Sequence, residues 1–107
     1  MAYILKINYA DPYNYGGKRK KSAIKYIVVH YTANDGDTDE SNANYFKRKK
    51  IKASAHYFVD DDSVTISVAD TNIAYSVGGE KWKDCAKTGG GKYYKKCTNA
   101  NSLNIEL

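Results

Sequence analysis

The stretch IKYIVVHYTAN, residues 24–34, decides the fold. Ile27, Val28 and Val29 are β-branched and follow Tyr26 without interruption, a composition that fits a pleated strand. The run ends on His30, one of 2 histidines in the chain, and the sequence turns polar at once through Tyr31-Thr32-Ala33-Asn34. An almost continuous apolar run predicts a strand over 24–31, buried on both faces as in a parallel sheet. An imidazole at the end of such a strand is held rigidly beside loops that leave room for a ligand. A histidine satisfied by hydrogen bonds at a sheet edge explains the same position equally well.

ANDGDTDESNANYFKRKK follows the strand. Asp37 with Glu40 three residues later has the form of a capping box. Acidic residues lead and basic residues follow, which suits the helix dipole. This predicts a helix over about 38–50, with Ala43 and Phe46 toward the core. His56 to Asp60 and Val64 to Val68 read as two strands around the turn Asp61-Asp62-Ser63. Val64, Ile66 and Val68 alternate with Thr65 and Ser67, so the apolar set is expected to face inward. Residues 78–101 are rich in Gly and Lys, without periodicity, and are expected to form a long loop. SLNIEL, residues 102–107, alternates again and reads as an interior strand. Residues 1–23 contain Pro12, Gly16-Gly17 and a basic run, and are expected to form an irregular lead-in to a single domain over 1–107.

A chain of 107 residues with 42% hydrophobic and 27% charged residues is one small globular domain. Its 11 tyrosines against 2 phenylalanines supply apolar bodies with polar tips, suited to a sugar or peptide cleft. Codon bias in an A/T-rich genome raises Tyr, Lys, Asn and Ile together and accounts for the same excess. The net charge of +5 favours anionic partners. The basic runs Lys18-Arg19-Lys20-Lys21 and Lys47-Arg48-Lys49-Lys50 are not interleaved with aromatics as in a nucleic-acid module, so they read as a solvated face. No nucleic-acid or membrane partner is expected. No apolar run is long enough to span a bilayer, and the N-terminus lacks the apolar core of a signal peptide. Synthesis in the cytoplasm is expected, with any exit by another route. Cys85 and Cys97 flank a Gly-rich stretch; a disulfide, zinc ligation and two free thiols are all compatible with that spacing, and free thiols suit a reducing cytoplasm.

A catalytic zinc takes three protein ligands and keeps one place open for water. The chain offers His30, His56, the cysteines and several carboxylates, with neither HExxH nor CxxC to tie them together. His56 is either a groove-lining residue or a plain strand residue. Glu106, on the polar side of the last strand, is either a general base or a solvent-facing carboxylate.

The order YIVVHYTAN, then SAHYFVDDDSVTISVADTNIAYSVGG, then CTNANSLNIEL resembles the zinc-dependent N-acetylmuramoyl-L-alanine amidases. These are the type-2 amidases of phage endolysins, autolysins and peptidoglycan-recognition proteins. The likeness covers residues 24–107 and is nearest to members from Clostridium-like Gram-positive bacteria and their phages. It implies an α/β fold with a mixed central β-sheet flanked by helices. It implies hydrolysis of the amide between N-acetylmuramic acid and L-alanine in peptidoglycan, at the bacterial cell wall, by a zinc-activated water.

By the same resemblance His30 is a zinc ligand and Glu106 the acidic residue beside the attacking water. His56 falls on a groove position beside the site and is not a zinc ligand in relatives, and Tyr31, Thr32, Tyr57 and Tyr75 are expected to line the groove for stem peptide and glycan. Ala55 stands where some phage members carry a tyrosine, and Tyr75-Ser76 replaces a common Trp-His pair. The family's remaining zinc ligands have no counterpart before Leu107. The expectation is therefore a domain incomplete at residue 107, with an incomplete zinc site. Such a chain is expected to associate with itself or with the missing segment through an uncovered apolar face. A non-catalytic peptidoglycan-binding module on the same fold is the alternative.

Overall fold

A computed structural model describes residues 4–30, 38–77 and 96–107. Among these residues seven strands and one α-helix form the frame: β1 (Ile4–Ile7), β2 (Tyr15–Lys18), β3 (Tyr26–His30), α1 (Asp39–Arg48), β4 (Tyr57–Val59), β5 (Ser63–Ile66), β6 (Asn72–Ala74) and β7 (Ser102–Glu106). Five strands make a mixed sheet in the order β1-β5-β4-β7-β3, and β2 pairs with β6 in a separate antiparallel ribbon. Strands β1 and β5, β4 and β7, and β7 and β3 run parallel, while β4 and β5 are antiparallel. The mixed sheet and helix expected from the resemblance are present.

The register assigns every side chain to a face, because alternate residues of a strand point to opposite sides. Lys6, Thr65, Phe58, Glu106 and His30 are successive partners across the five strands and share one face. Helix α1 covers part of that face. Ala43 and Phe58 are buried together, and Phe46 stacks on Phe58 at 5.3 Å between ring centroids. A second cluster joins Ala10, Val68 and Ala74 under Tyr15 and Phe46.

Polar groups anchor the helix at both ends. Thr38 is the N-cap, its Oγ1 accepting from the Ser41 N–H at 3.0 Å. The cap is thus one residue later than the Asp37 expected, and Asp37 lies outside the described residues. Asp60 Oδ2 accepts the Asp39 N–H at 3.1 Å, and this with the Asp62 and Ser63 N–H groups holds the Asp60 carboxyl well below the usual carboxylate range. Asp39 is buried and accepts from the hydroxyls of Ser63 and Thr65 at 2.9 and 2.7 Å. Beyond the other end, the fully buried Asn14 donates to the carbonyls of Phe46 and Lys49, groups the helix cannot satisfy alone.

Three expectations are corrected. Among the described residues strand β3 is an edge strand with only one face covered, and Ile27 and Val29 are 68% and 58% exposed. In β5 the polar residues Ser63 and Thr65 are buried and Val64 and Ile66 only half-buried, because the helix side carries the Asp39 hydrogen bonds. Residues 4–23 are not an irregular lead-in. They supply β1 to the sheet and β2 to the ribbon, and Gly16 sits so close to β6 that a Cβ there would lie 3.2 Å from Ile73 Cβ and from the Tyr75 ring.

Candidate active site

His30 and Glu106 end adjacent parallel strands as register partners on the covered face. The Nδ1 of His30 lies 3.9 Å from Glu106 Oε1, and both side chains are largely but not fully buried. Burial pushes the Glu106 carboxyl above its ordinary value, and the neighbouring imidazole partly offsets this. On its other side, His30 Nε2 lies 3.1 Å from Asn104 Oδ1 and 3.0 Å from Ser76 Oγ. Asn104 is two residues before Glu106 on β7 and therefore on the same face, fully buried. Ser76 arrives just after β6.

His56 belongs to the foundation of this cluster. It is fully buried, and its Nδ1 accepts the Asn104 backbone N–H at 3.0 Å. Its proton is therefore on Nε2, which donates to the Asn72 carbonyl at 2.9 Å. Arg19 Nη2 stands 3.1 Å from the same Nε2; both carry hydrogens, so this is a contact rather than a bond. Burial lowers the His56 pKa, the Asn72 carbonyl partly offsets this, and the Arg19 charge lowers it further. Arg19 itself donates to the carbonyls of Asp70, Ala100 and Ser102 at 2.9, 3.1 and 2.8 Å. It ties the first basic run to β7 and is not part of a solvated face.

The expected groove residues separate. His56 has no exposed surface to offer a ligand, which corrects its groove placement. Tyr57 points to the sheet face opposite His30, where its hydroxyl donates to Asp70 Oδ1 at 2.7 Å and its pKa is pushed up to about 12, mainly by burial. That too departs from a groove shared with His30. Tyr75 lies beside Gly16, its backbone bonded to Ser54 in both directions at 2.9 and 3.1 Å. Tyr31, Thr32 and Cys85 lie outside the described residues. Cys97 has no disulfide partner among the described residues, and burial raises its thiol pKa. Asn104, Ser76 and Arg19 were not anticipated. Asn104 had a signal, since the alternation of β7 places it with Glu106; Ser76 and Arg19 reach the cluster only through folding.

The donor set fits one imidazole ligand to zinc beside a carboxylate: the His30 Nδ1 faces Glu106. It falls short of a three-ligand catalytic site, since no group of three His, Cys, Asp or Glu side chains converges among the described residues. No described helix is long and apolar enough to cross a membrane.

Residues 20–107 match the family described as N-acetylmuramoyl-L-alanine amidase. N-acetylmuramoyl-L-alanine amidase BlyA of Bacillus subtilis (strain 168) is 32% identical over 90 residues, which make up 80% of this chain and 23% of that protein. A probable N-acetylmuramoyl-L-alanine amidase of Bacillus licheniformis is 40% identical over 60 residues, covering 52% of this chain and 17% of its own length. A mutant endolysin from Bacillus subtilis superposes with a TM-score of 0.72 at 25% identity, over 98% of this chain and 60% of that one. The catalytic domain of XlyA shares the fold with a TM-score of 0.70 at 23% identity, over 96% and 60%. The chain thus spans under a quarter of these two curated relatives and three fifths of these two solved chains.

Proposed function

The chain belongs to the N-acetylmuramoyl-L-alanine amidase family, and we propose that it hydrolyses the amide joining N-acetylmuramic acid to L-alanine in peptidoglycan, with His30 as a zinc ligand and Glu106 as the proton carrier. The observation that carries this reading is the placement of His30 and Glu106 as register partners, with Nδ1 and Oε1 3.9 Å apart. Zinc held there supplies Lewis-acid polarisation of the scissile carbonyl. Glu106 accepts a proton from the attacking water as its oxygen adds to the carbonyl carbon. It then delivers that proton to the nitrogen of L-alanine as the C–N bond breaks. Burial raises the Glu106 carboxyl above its ordinary value, which makes it a better acceptor of the water's proton. The net charge of +5 favours approach to an anionic wall.

The test is release of free L-alanine amino groups from purified peptidoglycan by zinc-supplemented protein, with His30→Ala and Glu106→Gln alongside. Turnover that both substitutions abolish supports the reading; turnover that survives His30→Ala overturns it. The absence of a three-ligand cluster among the described residues favours a second reading, a peptidoglycan-binding module without catalysis. Sedimentation with insoluble peptidoglycan in the absence of any turnover is its signature.

A further inference from the structure

We propose that Asn104 is a positioning residue that locks the His30 ring in the tautomer with its proton on Nε2, through a hydrogen-bond chain anchored at the Thr98 carbonyl.

The hydrogen-bond chain has a fixed end at Thr98. Ser102 Oγ lies 2.7 Å from the carbonyl oxygen of Thr98. A carbonyl only accepts, so the single hydroxyl proton of Ser102 is committed there. The Cys97 thiol also lies against Ser102, but sulfur is a weak acceptor and does not outcompete the Thr98 carbonyl at 2.7 Å for that proton. Toward Asn104, then, Ser102 acts as an acceptor. The side-chain amide of Asn104 is 3.0 Å away and must present its Nδ2–H there.

This settles which way the amide points, a choice that only the surrounding network determines. With Nδ2 on Ser102, Oδ1 faces His30 Nε2 at 3.1 Å. An amide oxygen only accepts, so Nε2 carries the proton. Ser76 Oγ, 3.0 Å from the same nitrogen, serves as a second acceptor. The opposite tautomer would set the Oδ1 lone pairs against a bare Nε2. Asn104 and Ser102 have no exposed surface, so no water relieves that mismatch. The consequence is that Nδ1 keeps its lone pair on the side of Glu106. Only the value of this lone pair as a zinc donor rests on the function proposed above; the tautomer follows from the hydrogen bonds alone. Orienting a ligand histidine through its other nitrogen is a general device of metal sites.

The experiment uses the 107-residue chain with nitrogen-15 histidine and long-range proton–nitrogen correlation at alkaline pH, without metal. The chain has 2 histidines. His56 is the internal standard, since its Nδ1 accepts the Asn104 backbone N–H and its own tautomer is therefore Nε2–H. Wild-type His30 is expected to show the Nε2–H pattern, with protonated and bare nitrogens well separated. The double variant Asn104→Leu/Ser76→Ala removes both acceptors and is expected to give averaged His30 nitrogen shifts, while His56 keeps its native pattern. Asn104→Asp retains an acceptor and is expected to keep His30 as Nε2–H. A wild-type His30 in the Nδ1–H form overturns the proposal, whether or not any variant folds. So does an unchanged His30 pattern in a double variant whose His56 signal is native. A chain with the expected tautomer that neither takes up zinc nor cleaves peptidoglycan refutes the catalytic reading and leaves this one standing.

Discussion

His30 and Glu106 are register partners on adjacent parallel strands, with Nδ1 3.9 Å from Oε1. Residues of unlike charge preference, 76 positions apart, are brought side by side by the pairing of β3 with β7. Their neighbours in sequence, Val29 and Ile105, are likewise partners on the opposite face. The site is thus a property of the sheet's register, and a slip of one residue would send one of the two to the wrong side.

Glu106→Gln is expected to lower kcat on peptidoglycan by about 100-fold or more, the usual worth of a general base, with KM little changed. The same substitution is expected to stabilise the fold slightly near neutral pH. Burial raises the folded-state pKa of Glu106, so the folded chain binds the carboxyl proton more tightly than the unfolded chain. Stability on this account falls as pH rises from the unfolded value through the folded one. Thermal melts of wild type and variant at pH 4 and pH 8 check the sign: the variant's advantage should appear only at the higher pH.

His56 predicts the opposite slope. Its folded pKa lies below the ordinary 6.5, so the folded chain resists the proton that the unfolded chain accepts. Stability from this group is complete above about 6.5 and declines as pH falls through that value toward the folded pKa. His56→Ala is expected to cost about 2–4 kcal/mol at pH 8, since it opens a cavity and strips partners from the Asn104 N–H and the Asn72 carbonyl. Urea titrations across pH 5–8 measure both the slope in wild type and its loss in the variant.

Tyr57→Phe is expected to change kcat/KM on peptidoglycan by less than about twofold, while stability drops by about 1 kcal/mol through the lost bond to Asp70. The side chain stands on the face opposite His30. A large rise in KM in steady-state assays would return Tyr57 to the groove.

The two faces of the sheet predict unequal costs. Phe58→Ala, at 2% exposure under α1, is expected to destabilise by about 3–5 kcal/mol, whereas Ile27→Ala, at 68% exposure, should cost under about 1 kcal/mol. Leu5, Ile7, Ile27 and Val29 share the exposed face. A patch of this kind promotes association. Sedimentation equilibrium is expected to show concentration-dependent self-association of the 107-residue chain that Ile27→Lys/Val29→Lys abolishes.

Much of the frame was legible in residues 24–107. The β-branched run before His30 could only be a strand, the acidic-to-basic gradient after Thr38 marked α1, and the alternation of SLNIEL put Ser102, Asn104 and Glu106 on one side. These are local signals, because strand period, helix dipole and turn chemistry act within a few residues. The same signals misled where burial depends on what covers a face. The apolar residues of β3 and β5 suggested the buried side, yet α1 packs where Ser63 and Thr65 satisfy Asp39.

Sequence by itself determined that His30 ends a strand and that Glu106 sits on the polar side of another. Only the tertiary structure decided that the two strands are neighbours in matching register. It alone turned Tyr57 to the far face, sealed His56 beneath Asn104, and drew Arg19 from a basic run onto the carbonyls of Asp70 and Ser102. The reason is physical. Periodicity specifies which side of its own element a residue occupies, whereas partners contributed by distant segments depend on a strand order and a hydrogen-bond network that no local pattern contains.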